Sequence, residues 1–323
     1  MTKYLSFPGL VIEPFLVDGT ALTLFGLDIK WYGIIITIGM ILAFFVARNR
    51  AKYEGIIEDD IYDVTLFCII FGVIGARLYY VLFNLEDYII TGGTVWQNIK
   101  NSFMEIINIR GGGLAIYGGI IAGFLTGMIV AKVKKIRFPV LLDVAAPAIL
   151  VGQILGRWGN FFNVEAFGRE TALPWRMGIH LTDGAAGDWV SEMFVHPTFL
   201  YESLWNLAAL VLILVFYKKK KFNGQVFFFY MAWYGLGRAI IEGLRTDSLM
   251  IGDFRVSQIV ALVTFIAGII MFFLFMFKTP KKLRLVADTV VQTEEQSAEN
   301  VEDEIQTEKI TESESETENG EAD

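Results

Sequence analysis

Only one cysteine, Cys68, occurs in 323 residues, so the chain can form neither an intrachain disulfide nor a cysteine metal cluster. Inside its apolar run Cys68 reads as a small buried hydrophobe. The two histidines, His180 and His196, are too far apart for a helical pair of ligands, and neither a metal nor a cofactor is expected. Met1 to Phe15 lack a basic stretch followed by a compact apolar run and a small-residue cleavage site, so no removable signal peptide is expected and the first span should be retained. No internal repeat is evident, although Gly75-Ala76-Arg77 and Gly237-Arg238 each set an arginine within an apolar stretch. Charge is scarce as well, at 19% of residues.

Apolar residues make up 54% of the chain, aromatics 14%, and mean hydropathy is +0.50. Ordinary soluble domains hold about 45–50% apolar residues, so the composition is that of an integral membrane protein. The net charge of -8 reflects one end only. Residues 286–323 hold fourteen acidic residues against Lys309, leaving 26 basic and 21 acidic residues elsewhere, a balance of +5. Such an acidic tail, without aromatics, cannot bury enough apolar surface to offset its ordering entropy and is expected to be disordered.

A membrane helix needs about 20 mostly apolar residues. Seven segments meet or approach that requirement, near 31–47, 64–85, 112–131, 138–156, 198–217, 224–241 and 256–277, and the first can begin as early as Ala21. Basic clusters follow every second span: Arg48, Arg50 and Lys52; Lys132, Lys134, Lys135 and Arg137; Lys218 to Lys221; and Lys278, Lys281, Lys282 and Arg284. Short cytoplasmic loops collect lysine and arginine, which puts the N-terminus outside and the C-terminus in the cytoplasm. The expected fold is all-α and polytopic: a seven-helix membrane domain over residues 1–285, a small extracytoplasmic head at about 157–197 between helices 4 and 5, and a cytoplasmic tail over 286–323.

Charged groups at membrane depth cost about 2.5 kcal/mol or more each, so those that remain mark pairs, cavities or binding sites. Residues 152–168 concentrate Arg157, Asn160, Asn163 and Glu165 at the end of an apolar stretch. Arg157 offers a planar fork matched to phosphate, or else snorkels to lipid headgroups. Asn160 and Asn163 supply amides, or hydrogen-bond a turn. Glu165 can orient an arginine or accept a proton, and Gly168 serves backbone geometry. Further on, Tyr234, Arg238 and Glu242 recur at four-residue spacing on one helix face, with Arg245 beyond them. Arg77 and Asp143 are further intramembrane charges in need of partners. The glycine run 111–119 surrounds Tyr117, and lacks the lysine and Ser/Thr of a nucleotide loop.

The run Gly156-Arg157-x-Gly159-Asn160-Phe161-x-Asn163-x-Glu165-x-x-Gly168 resembles the signature of bacterial prolipoprotein diacylglyceryl transferases. Trp31-Tyr32-Gly33, Gly112 to Gly119, His196-Pro197 with Leu200-Tyr201-Glu202, and Tyr234 to Arg238 extend the resemblance over roughly 10–255. It implies a cell-membrane enzyme that moves the sn-1,2-diacylglyceryl group of phosphatidylglycerol to the lipobox cysteine of prolipoprotein signal peptides, forming a thioether and releasing glycerol phosphate. Such an enzyme works on membrane lipid and peptide without nucleic acid, and begins lipoprotein maturation. By the same resemblance Arg157 contacts the phospholipid with Asn160, Asn163 and Gly168. The family's arginine matching Arg238 is required for activity, so Arg238 joins Tyr117, Glu165 and Tyr32 as catalytic candidates, with Glu242, Arg245, Asp143, Arg77, His196 and Tyr234 expected to support them. Tyr117 stands where many members carry histidine, and a phenol ordinarily keeps its proton where an imidazole can take one, which leaves the general base open. A transporter or channel lined by Arg77, Asp143, Arg238 and Glu242 is the competing expectation, as is another phospholipid-processing enzyme.

Overall fold

The computed structural model describes residues 1–90, 92–109, 112–184, 186–246, 250–252 and 254–278. The acidic tail lies outside them. Contacts divide the chain into Met1–Ile270 and Met271–Asp323; of the second unit only Met271–Lys278, the end of the last helix, is described.

The helices are α1 (Trp31–Tyr53), α2 (Glu58–Phe83), a short α3 (Leu85–Tyr88), α4 (Val95–Ile107), α5 (Ile116–Val133), α6 (Phe138–Asn163), α7 (Thr198–Phe216), α8 (Gln225–Glu242) and α9 (Val256–Lys278). Six of them, α1, α2, α5, α6, α7 with the turn that follows it, and α9, are long and apolar enough to cross a membrane. The protein is therefore a polytopic, mostly helical membrane protein. Helix α8 has 18 residues, but Gln225, Arg238 and Glu242 leave it less apolar than the six.

Packing follows the small residues. Gly75 on α2 and Gly118 on α5 lie so close that a Cβ on either would collide with the other's backbone. Gly237 on α8 leaves room for the Trp205 indole of α7, and the two helices lock further through reciprocal bonds from Trp205 Nε1 to Trp233 O and from Trp233 Nε1 to Trp205 O, both 2.9 Å. Ala146 and Leu150 of α6, Ala209 and Ile213 of α7, and Tyr230 of α8 form the buried core between these three helices.

Several expected boundaries shift. The first span does not begin near Ala21: residues 20–30 form a hairpin, β3 (Thr20–Leu24) and β4 (Leu27–Lys30), because Leu22, Leu24, Leu27 and Ile29 alternate with polar partners at the period of a strand. The fourth span does not stop at 156 but runs to Asn163, so Arg157, Asn160 and Asn163 lie on its last two turns. Unfavourable hydropathy at these positions is offset by polar partners, Glu202 on α7 for Arg157 and the adjacent Glu165 for the two asparagines. The loop after α2 contains α4, a capped amphipathic helix whose Thr94 and Gln97 form a reciprocal capping box.

Of residues 157–197, expected to form a head, the first seven belong to α6 and the rest contribute two strands to a sheet shared with the N-terminal segment. Strands β1 (Thr2–Phe7) and β2 (Ile12–Leu16) join β5 (Met177–Thr182) and β6 (Ser191–Val195) in an antiparallel sheet of order β2-β1-β5-β6. Its core, Leu5, Val17, Met177, Ile179 and Val195, closes over Val164 at the end of α6 and Phe199 at the start of α7. A short pair, β7 (Met250–Ile251) and β8 (Phe254–Arg255), precedes α9.

Candidate functional site

Three helices deliver the polar cluster. Arg157 projects from α6, Glu202 from α7, and Arg238 and Glu242 from α8. Glu202 is 2% exposed and takes both guanidinium groups, with Arg157 Nη2 at 2.6 Å on Oε1 and Arg238 Nη1 at 2.9 Å on Oε2. Arg238 Nη2 then reaches Glu242 Oε2 at 2.6 Å, one helical turn on. The result is an alternating row of charges in a setting where Coulomb attraction is far stronger than in water.

From Arg157 the network continues outward. Its Nη1 donates to Asn160 Oδ1 at 3.2 Å, and Asn160 Nδ2 donates to Glu165 Oε1 at 2.8 Å. Asn163 Nδ2 donates to the same oxygen at 3.2 Å. Glu165 turns back onto the helix because Val164 (φ 52°) and Ala166 (φ 57°) both adopt the left-handed conformation. A β-branched residue there is an outlier of order 1–3 kcal/mol, and it persists because Val164 is clamped in the head core. The strain places an exposed carboxylate one asparagine away from a partly buried arginine.

A small cavity at this point is lined by Arg157, Asn160, Ala166, Thr198, Phe199, Glu202 and Arg245. Gly168 shapes its rim. Its N–H bonds His196 O at 3.0 Å, and an added Cβ would press on His196, Thr198 and the Leu244 carbonyl. Thr198 Oγ1 donates to Ala166 O at 2.5 Å. Tyr32 belongs to the same neighbourhood, since its ring fills the space beside Gly159 that a Cβ would need. Tyr234 stacks on Tyr230, which accepts from Gln153 Nε2 at 2.9 Å.

The remaining sequence candidates lie elsewhere. Among the described residues no hydrogen bond, ion pair or ring contact joins Tyr117, on the first turn of α5, to the cluster. His196 shares Tyr201 OH with Trp175, through Nδ1 at 3.2 Å and Nε1 at 2.7 Å. Burial, and then the positive charge of Arg169, hold its imidazole below the usual histidine range. Arg77 spends its guanidinium on five backbone carbonyls, those of Glu105, Ile106, Asn108, Gly112 and Gly113, at 2.8 to 3.1 Å. Asp143 accepts from the N–H groups of Gly224 and Phe227 at 2.8 and 3.0 Å and pairs with Lys220, so it caps the start of α8, a helix length from Glu242. Arg77 and Asp143 are thus closed structural groups, and with them the four-charge transport pathway loses half its members.

Sequence reasoning underrated Glu202, the centre of the cluster. The available signal was a carboxylate in an apolar span with no basic residue within a turn of it. Asn206, a turn further along α7, was missed altogether: its amide is fully buried and has no hydrogen-bond partner among the described residues.

A family model described as prolipoprotein diacylglyceryl transferase matches residues 20–274. Curated relatives named phosphatidylglycerol–prolipoprotein diacylglyceryl transferase include one from Finegoldia magna, 48% identical over 79% of this chain and 94% of the relative. Another, from Clostridioides difficile, is 44% identical over 79% and 94%, and one from Bacillus cytotoxicus is 42% identical over 79% and 90%.

Proposed function

Since this chain belongs to the prolipoprotein diacylglyceryl transferase family, we propose that it transfers the sn-1,2-diacylglyceryl group of phosphatidylglycerol to the lipobox cysteine thiol of prolipoprotein signal peptides. In this step the bond from the glyceryl carbon to the phosphate oxygen breaks, a carbon–sulfur bond forms, and the phosphate keeps the electron pair and leaves as glycerol phosphate. The observation that carries the reading is the pair of arginines, Arg157 and Arg238, bridged by one buried carboxylate beside a polar cavity.

Negative charge grows on the departing phosphate, and preorganised cationic donors lower such a barrier by several kcal/mol. Arg157 and Arg238 hold fork geometry suited to phosphate oxygens, and Arg245 adds a third cation at the cavity wall. Asn160, Asn163 and Gly168 position the headgroup. The thiol reacts as thiolate, and neighbouring guanidinium charge favours that form. Of the proton acceptors suggested by the sequence, Glu165 is the one hydrogen-bonded into the Arg157 network, and it takes the thiol proton; Tyr32 packs beside the same helix. Among the described residues no contact joins Tyr117 to this network.

Helix α8 serves as a seventh crossing, because its charged residues face partners on α7 and within α8 rather than lipid. The catalytic domain covers 1–285, with the head outside, the basic clusters and C-terminus in the cytoplasm, and the bacterial cell membrane as its location.

The test uses purified protein, labelled phosphatidylglycerol and a synthetic lipobox peptide in cysteine and serine versions. Label on the cysteine peptide alone is expected; label on neither peptide, or lipid cleavage without acceptor, overturns the proposal.

A further inference from the structure

The β3–β4 hairpin has no protein partner for one whole face. Across the pair, Leu22 opposes Ile29 and Leu24 opposes Leu27, so these four side chains share a face, and all four are exposed. The opposite face is polar and internally bonded: Thr23 Oγ1 donates to Asp28 at 2.7 Å, and Lys30 Nζ donates to Thr20 at 2.6 Å. Phe25 forms the tip at 96% exposure. Both tip residues, Phe25 (φ 50°) and Gly26 (φ 76°), are left-handed, as a two-residue primed turn requires. Asparagine is the usual first residue of such a turn, whereas phenylalanine here combines a disfavoured backbone with a bare ring in solvent.

We propose that this hairpin is a membrane-interface anchor, lying on the lipid surface with Leu22, Leu24, Leu27, Ile29 and the Phe25 ring against the boundary between headgroups and acyl chains. Lipid is the occupant because the face is continuous with a surface that already meets lipid: β4 ends at Lys30 and the membrane-crossing α1 begins at Trp31. A two-stranded hairpin is marginal alone, and an apolar floor supplies what it lacks. Its outer strand edges carry unpaired backbone groups that hydrocarbon would leave unsatisfied, which limits it to lying flat rather than inserting upright. The polar face, with Asp28 and Lys30, then meets water. The base of the hairpin is tied to the site's own scaffold: Trp31 N donates to Gly19 O at 2.9 Å, Gly19 sits against Asn163, and Trp31 stacks on Phe162. The anchor therefore sets the height of the end of α6 relative to the lipid phosphates. This inference does not depend on the transferase reading, and its failure would leave that reading untouched.

The test is spin-label depth in phosphatidylglycerol vesicles, using the full chain with Cys68→Ala and single cysteines at Leu24, Leu27, Thr23 or Asp28. Labels at 24 and 27 should collide with oxygen and be shielded from aqueous nickel, at a depth of about 5–10 Å, whereas labels at 23 and 28 should remain open to nickel. Equal nickel access at all four overturns the proposal. So does shielding from both reagents at 24 and 27, the result for burial against a second copy or a peptide. Hydrogen exchange of the unsubstituted protein supplies an independent reading: the amides of residues 22–29 should slow in lipid discs relative to detergent, and unchanged exchange counts against the anchor.

Discussion

Arg157 and Arg238 are both held by Glu202, so removing that carboxylate takes from Arg157 its partner in the row. Removing one partner of such a pair typically destabilises by about 3–5 kcal/mol. Glu202→Gln is therefore expected to lower the thermal unfolding midpoint in detergent markedly and to reduce transfer; an unchanged midpoint would show that the carboxylate is dispensable. Arg157→Ala and Arg238→Ala should each reduce transfer about 100-fold or more, the scale of losing one preorganised donor at a developing oxyanion, with membrane insertion retained. Near-normal transfer by either variant would sink its assignment. The residues of the 156–168 signature and of 234–245 were legible as a polar group in an apolar context. The bond from Arg157 to Glu202 was not, because 45 positions separate them and nothing local encodes which face of α7 turns inward.

At the scale of elements, the polar residues of the signature hid the last two turns of α6: hydropathy drops at Arg157 while the helix continues to Asn163. The head sheet was missed for a related reason. Its strand β1 pairs with β5, roughly 175 residues away, and each strand alone is a short run with ordinary composition. The helices themselves were readable because length and apolarity are local properties. Arg77 and Asp143 were expected to be structural or supporting charges, and the geometry says what each holds. Arg77→Met should free the end of α4 and accelerate amide exchange across residues 105–109 at least tenfold, because charge-assisted bonds to the backbone contribute about 1.5–3 kcal/mol each. Protection equal to the parent would refute that account. Asp143→Asn should cost about 1 kcal/mol as a weakened helix cap and leave transfer in place, measurable as a modest loss of thermal stability with retained specific activity.

For the molecule as a whole, pH acts through the head. His196 has a depressed pKa in the folded state, so below the unfolded value near 6.5 the unfolded chain binds the proton more readily. Stability should then fall as pH drops from about 7 toward 5 and level off above 7. Part of that slope should vanish in His196→Gln, and identical slopes in the two proteins would exclude the histidine as its source. The proposed topology is testable in the Cys68→Ala background: a cysteine at Gly184 should react with an impermeant maleimide in intact cells, and one at Lys219 only after lysis. The reverse pattern would invert the orientation.

The alternating row Arg157, Glu202, Arg238, Glu242 sums to zero charge. On the function proposed above, the row is an ion exchanger stored with its counter-ion already loaded: a lipid phosphate would have to swap places with a carboxylate rather than approach bare cations. The same loading leaves both guanidinium groups of the row accounted for by carboxylates of the chain itself before any substrate has been met.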